Sequence, residues 1–515
     1  MSGDPADWGV ARAARALRER TISAREYVGV LVDRCAGRAD LDAFTELTAR
    51  EALRGAEALD RRRDAGGPLA GVPLVVKDNV DVAGVPTTAG TPGLRGHVPV
   101  RDSGAWQRLS DAGALLLGKT TLHELAYGIT GANAGAPTAR HPARPDRLPG
   151  GSSSGTATAV AAGLAPAGVA TDTGGSARIP AALCGVLGWR PTTGRYPGDG
   201  VVRLSPTRDT VGLMARCAED LLLLDAVLAG RATPAAPAAP SAAPRVPRDL
   251  TLLLPSTPAW EALSPEVARV ASAARDALSS AGVRLLDAPR ALPPPRELLD
   301  CALTVPRYET RDALREYLAG AGPAYTLQRL LDAVASPDVR ELLLPMREGR
   351  PVPEPAYRVA LRAGAAMAEA AAGHLRAAGA LAHLVPTTAL PAPEAGVGDT
   401  VECAGQAVPT FLAYIRNTAP AAVFGWPSVT IPAGHTRDGL PVGLQLDGAP
   451  GSDRTLLHAA RLCLAALRAH RTPGPAPPPA APGASARPPR PGDRARRPSH
   501  GDRAGRPGPR PPEQQ

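Results

Sequence analysis

Apolar positions recur along this chain with two periods, one helical and one of short continuous runs. Val10, Ala14 and Leu17, then Tyr27, Val30, Leu31 and Val32, are spaced with polar residues between them. That spacing predicts packing helices and suggests no chemistry. From Leu69 to Asp81 the chain reads LAGVPLVVKDNVD, an apolar run closed by charged and amide residues. This is the pattern of a buried strand delivering Lys77 at its carboxyl end, where α/β folds commonly place function. ALLLG (114–118) predicts a second buried strand, followed by Lys119. TATAVAAGLAP (156–166) predicts a helix of small residues and GVATD (168–172) a strand. TGGSARIPAALCG (173–185) then turns through two glycines into a helix opened by Ser176.

Residues 232–248 form a Pro/Ala-rich break, readable as a domain linker or as a surface loop inside one large fold. Beyond it DLTLLLP, a helical pattern over 265–282 and VRLLDA resume the alternation. A helical stretch over about 296–379 looks like an insertion able to cover a site, and VPTTALPAP, WPSVTIPAG and LPVGLQLDG return to strands. The alternation predicts an α/β fold.

Composition narrows the class. With 515 residues and 44% hydrophobic content the chain is globular. Neither a signal peptide nor an apolar run of membrane-spanning length is seen, so a soluble cytoplasmic protein without a membrane partner is expected. Six scattered cysteines fit reduced thiols. His123-Glu124 begins like a zinc motif, but Tyr127 stands where the second histidine would be, so no metal is expected. The net charge of +9 is concentrated in residues 471–515, where nine arginines face Asp493, Asp502 and Glu513. The rest of the chain carries only about +3, too little to suggest nucleic acid, and the Pro/Gly/Ala-rich tail is expected to be disordered. Of the 58 basic residues only Lys77 and Lys119 are lysines. A lysine that survives such a bias is a candidate for work arginine cannot do, notably giving up its proton.

Three chemistries compete. GALLLGKT (113–120) matches the phosphate-binding G-x-x-x-x-G-K-[ST] pattern, and LLLLD (221–225) offers an apolar run ending in an acid. The four intervening residues must form an open loop, however, and Ala-Leu-Leu-Leu reads as a strand. Gly151 to Gly155 matches the elbow of a Ser-His-Asp esterase centred on Ser153. An elbow needs a strand running into the serine, and ARPDRLPG precedes it instead. The third reading joins Lys77, the serines of GGSSSG (150–155) and Ser176. There Gly174-Gly175 permits a tight turn whose N–H groups can face an oxyanion beside the attacking hydroxyl.

Lys77 with GGSSSGTATAVAAGLAPAGVATDTGGSARIPAALCG resembles the amidase signature family, over roughly residues 10–470. DVAGVPTTAGTP, KTTLHELAYGIT, RPTTGRYPGDGVV, PTFLAYIRNTAP and DGLPVGLQLDG are similar, within it, to indoleacetamide and mandelamide hydrolases. The resemblance implies a large mixed sheet with helices on both faces in a single large domain over 1–470, its catalytic core at about 65–230, and a Ser-cisSer-Lys triad hydrolysing amides without a cofactor. By position Ser176 is then the nucleophile, Lys77 the base and Ser152 the bridge after a cis Gly151–Ser152 bond. Ser176 follows Ser152 by 24 residues, the family's spacing. The oxyanion would lie against Thr173, Gly174, Gly175 and Ser176, with Asp172 and Arg178 supporting the turn. Ser154 departs from the family's usual glycine. The implied substrate is a small primary amide of an aryl-substituted acid, for which Tyr127, Tyr308, Phe411, Phe424 and Trp426 are candidate pocket residues. A homodimer is the candidate assembly. The amidase subunit of a tRNA-dependent amidotransferase is the alternative within the family.

Overall fold

The apolar runs become strands of one large sheet in the computed structural model, which describes residues 3–62, 66–231 and 250–470. In chain order the sheet strands of the first half are β1 (Phe44–Leu47), β2 (Pro73–Lys77), β3 (Leu115–Thr120), β4 (Ala167–Asp172), β5 (Leu187–Arg190) and β6 (Thr210–Ala215). The second half adds β7 (Thr251–Leu254), β8 (Arg284–Asp287) and β9 (Ala382–Pro386). A separate hairpin, β10 (Thr400–Cys403) and β11 (Gln406–Pro409), precedes β12 (Ser428–His435) and β13 (Pro441–Gly448). The eleven-stranded sheet has the order β1-β3-β2-β4-β6-β5-β12-β13-β9-β7-β8. It is mixed: β3, β2 and β4 run parallel, as do β9, β7 and β8, while the remaining pairs are antiparallel.

Every residue of β2, β4, β6 and β13 is buried, so these strands show no in–out alternation. A sheet covered on both faces has no solvent side to pattern, and helices flank it accordingly. The helix Ser154–Ala161 lies over β2, β3, β4 and β6, and Arg178–Cys184 over β5, β12 and β13. Small side chains permit the close approach: a Cβ on Gly168 of β4 would sit 2.5 Å from the Thr156 Cγ2. The N-terminal helices form at Val10–Arg18 and Ala24–Gly37, the second capped by Ser23 and Glu26 in a reciprocal box.

The expected insertion comprises Pro295–Ala321, Leu327–Ala333, Pro337–Leu343 and Glu354–Ala378. It is pinned to the segments after β3 and before β6. Glu309 accepts from Ser205 Oγ at 2.6 Å and Thr207 Oγ1 at 2.8 Å, and Arg208 donates to the Cys301 carbonyl at 2.8 Å. His123 Nε2 lies 3.0 Å from Asp338 Oδ2. The Pro/Ala-rich break at 232–248 and the tail at 471–515 lie outside the described residues. The described residues group as one unit. Among the described residues no helix is long and apolar enough to cross a membrane.

Two expectations change in detail. Lys119 lies within β3 rather than after it, so the residues of GALLLGKT that would have to form a phosphate loop are extended and buried or half-buried. Its ammonium is 2.9 Å from Asp78 Oδ1 and donates to the Pro86 carbonyl at 3.0 Å and Thr87 Oγ1 at 2.9 Å. The second correction concerns Ser176, which precedes its helix by two residues. The helix begins at Arg178 after Ala177, whose N–H donates to Asp172 Oδ2 at 3.2 Å.

Because both partners are buried, Lys119→Ala strands the Asp78 carboxylate and is expected to lower the unfolding free energy by roughly 3–5 kcal/mol. Denaturant unfolding measures this directly; a change within about 0.5 kcal/mol, typical of surface substitutions, contradicts the assignment.

Candidate active site

Lys77 ends β2, a strand with β3 on one side and β4 on the other, and its side chain is completely buried. Nζ lies 2.7 Å from Ser152 Oγ and 2.8 Å from Thr171 Oγ1, and among the described residues it forms no ion pair. Taking an ammonium out of water without a carboxylate disfavours its charge. Burial therefore pulls the Lys77 pKa down to about 7, against the opposing pull of Asp172 and Asp209. The two lysines of the chain thus have opposite fates, one ion-paired and one held among hydroxyls.

Ser152 is presented by a loop tied at several points. The Gly151–Ser152 peptide bond is cis. Gly151 N–H donates to the Ile129 carbonyl at 2.6 Å, His123 N–H to the Ser152 carbonyl at 3.0 Å, and Ser153 N–H to the Ser176 carbonyl at 3.2 Å. The helix then begins at Ser154. Ser154 fits where the family usually has glycine because its hydroxyl rests 3.5 Å from the Thr121 carbonyl. Gly155 has no such room, since a Cβ there would lie 2.4 Å from both the Ala43 carbonyl oxygen and Thr121 Oγ1. Ser153 does not head an elbow: no strand runs into it, and its hydroxyl donates to the Thr171 carbonyl at 3.3 Å.

The turn Thr173–Ser176 follows β4 directly. Asp172 anchors its start, receiving Arg178 Nε and Nη2 at 3.0 Å each and Arg190 Nη1 at 3.1 Å. Burial raises the pKa of this carboxylate, but Arg178 and Arg190 outweigh that and hold it well below the usual range. Thr173 Oγ1 donates to Asp209 Oδ1 at 2.5 Å, and Thr418 Oγ1 to the Gly174 carbonyl at 2.7 Å. Close approach bears on both glycines, most strictly on Gly175 with its positive φ. A Cβ on Gly174 would meet Ile415 Cδ1 at 2.7 Å, and one on Gly175, at φ +147°, would meet Thr418 Oγ1 at 2.3 Å. The N–H groups of Ala177, Arg178 and Ile179 are satisfied by Asp172 and the Gly175 carbonyl. Among the described residues, those of Thr173, Gly174, Gly175 and Ser176 meet no protein acceptor. Ser176 is 7% exposed, whereas Lys77 and Ser152 are at zero, so of these three residues Ser176 is the one open to an incoming molecule.

The five aromatic candidates divide. Phe411, Phe424 and Trp426 belong to one apolar cluster with Ile415, the residue that abuts Gly174. Trp426 is 1% exposed, stacked at 5.8 Å on His383 and edge-on to Phe424 at 5.2 Å, so it serves as packing behind the turn. Tyr127 packs near Leu122, Ala126 and Leu204, with its hydroxyl beside Thr310. Tyr308 stands apart, stacked at 4.0 Å on Tyr357 with the Arg350 guanidinium over its ring. Sequence reasoning missed Asn79, Thr171, Arg190, Asp209 and Thr418. All but Asp209 lay in a segment already singled out, but none is of a type that announces a role.

Residues 26–457 match the family model described as Amidase. The chain is 37% identical over 450 residues to an indoleacetamide hydrolase of Agrobacterium vitis, covering 87% of this chain and 94% of that protein. It is 36% identical over 484 residues to a mandelamide hydrolase of Pseudomonas putida, covering 90% and 92%. Among solved structures, the peptide amidase of Stenotrophomonas maltophilia superimposes with a TM-score of 0.76 at 31% identity, over 91% of this chain and 98% of that one. An amide bond is thus the functional group common to these relatives' names, and the lysine, the serine loop and the glycine turn lie within the matched span. The chain belongs to the amidase signature family and is a hydrolase acting on amides.

Proposed function

We propose that the protein hydrolyses a primary amide of an aryl-substituted carboxylic acid, of the indole-3-acetamide or mandelamide kind, to the acid and ammonia. The observation that carries the mechanism is the buried Lys77 amine, 2.7 Å from Ser152 Oγ and with a pKa near 7. Neutral Lys77 takes the Ser152 proton as Ser152 takes that of Ser176, and Ser176 Oγ attacks the amide carbon. The oxygen becomes negative where the unpaired N–H groups of Thr173–Ser176 can receive it. The proton returns along the same path to the leaving nitrogen, and ammonia departs. Water then repeats the sequence on the acyl-enzyme, releasing the acid. The substrate class is supported by the indoleacetamide and mandelamide hydrolases among the relatives.

Replacing Ser176, Ser152 or Lys77 by alanine is expected to lower kcat on such an amide by about 10²–10⁴-fold or more. Lys77→Arg is expected to be nearly as damaging as Lys77→Ala, because arginine cannot shed its proton. Ammonia release by the purified chain measures each variant, and Ser176→Ala keeping most of its turnover would sink the reading. The sign of the pH dependence follows from the depressed lysine pKa: the base is active only when neutral. Accordingly kcat/KM should have its midpoint near 7, level off above about pH 8 and fall about tenfold per unit below about pH 6, whereas a midpoint near 10, the value for a solvated lysine, would contradict a base whose pKa burial depresses.

A further inference from the structure

A neutral lysine nitrogen has one lone pair, and two hydroxyls lie within reach of it. Ser152 is at 2.7 Å and Thr171 at 2.8 Å. A lone pair facing Ser152 can accept the proton of the reaction; one engaged by Thr171 cannot. Whichever way the Thr171 hydroxyl points therefore decides whether the base works. A hydroxyl oxygen has one hydrogen to give and two lone pairs with which to accept.

Asn79, two residues beyond Lys77, is 2% exposed and reaches the same hydroxyl. Its Nδ2 lies 3.2 Å from Thr171 Oγ1 and 3.4 Å from the Val202 carbonyl. A carbonyl can only accept, so the second contact fixes which end of the amide faces Thr171. Its Oδ1 is also buried and, among the described residues, meets no donor. Asn79, Thr171, Thr173 and Asp209 line a cleft with about 10 Å³ of room for the centre of a water molecule, close to what a single water requires. Asp209 is already committed, through Oδ1 to Thr173 and through Oδ2 to the N–H groups of Leu204 and Ser205.

We propose that one ordered water sits in this cleft, accepting the Thr171 hydrogen and donating to Asn79 Oδ1, and that Asn79 is a positioning residue acting through Thr171. The Thr171 oxygen is then fully used: it gives its hydrogen to the water and accepts from Asn79 Nδ2 and from Lys77. It has no hydrogen left for the lysine lone pair, which turns to Ser152. This rests on the general-base reading of Lys77.

The test uses Asn79→Leu, Asn79→Asp, Thr171→Val, the Asn79→Leu/Thr171→Val double variant and Lys77→Ala, each with full pH profiles of kcat and kcat/KM on a hydrolysed aryl amide. Asn79→Leu is expected to lower kcat roughly tenfold with KM nearly unchanged, and to move the acid limb to lower pH, because Thr171 now donates to the neutral amine. The double variant should match Thr171→Val alone to within about twofold. Asn79→Asp keeps an acceptor for the Thr171 hydrogen, so above its acid limb it should retain more kcat than Asn79→Leu, while its charge moves that limb to higher pH. Losses that multiply in the double variant, or an Asn79→Asp enzyme as slow as Asn79→Leu at every pH, overturn the inference. If Asn79→Leu does not fold, Asn79→Asp decides by comparison with the unmodified enzyme: near-normal kcat above a raised acid limb supports the inference and a loss at every pH overturns it. A crystal structure of the free enzyme should show the water between Thr171 Oγ1 and Asn79 Oδ1, and an empty cleft there also overturns it. Lys77→Ala keeping its turnover removes the general-base reading itself, and is distinct from failure of the Asn79 arm alone.

Discussion

The structure turns on one amine held inside protein with no carboxylate paired to it among the described residues, so that burial pulls its pKa down to about 7. Lys77 is fully buried, and any free carboxylate within reach would restore its charge by pairing with it. The surrounding acids are all engaged. Asp172 is held by Arg178 and Arg190, Asp78 by Lys119, and Asp209 by the Thr173 hydroxyl and two backbone N–H groups. What reaches the Lys77 nitrogen is a pair of hydroxyls, which stabilise it without fixing a proton on it.

Sheet order brings the pieces together. β2 and β4 are parallel neighbours with Val76 opposite Val169, so Lys77 and the Thr171–Asp172 pair emerge at the same end. The small-residue helix that starts at Ser154 lies on these strands and carries the Ser152 loop to the same place. Glycines then let the Ile415–Thr418 segment close against the turn. The buried ion pairs around Asp172 serve geometry more than stability, since desolvation offsets much of what such pairs gain.

Much of this was legible in the sequence where residue type itself carries the chemistry. A lone lysine at the end of an apolar run, and serines among glycines, have few other uses in combination. The phosphate-loop match at Lys119 was local only, and the strand character of Leu115–Leu117 decided against it. Thr171 and Asn79 were not legible, because a threonine in a strand and an asparagine in a turn are ordinary. Their role comes from a sheet register that sets a hydroxyl 2.8 Å from an amine. Aromatic type alone does not separate pocket from core: Trp426 is 1% exposed and packs with Phe424 and Ile415 in one apolar cluster. Ser176 stands two residues before its helix, in the turn that Asp172 ties down by accepting from the Ala177 N–H.

The central claim can be read from a single atom. Since Lys77 and Lys119 are the only lysines, a protein labelled with carbon-13 at lysine Cε gives two side-chain signals. The account predicts that the signal lost in Lys77→Arg titrates with a midpoint near 7. A Lys77 signal that keeps the shift of a charged amine up to about pH 10, as a solvated lysine does, would contradict it.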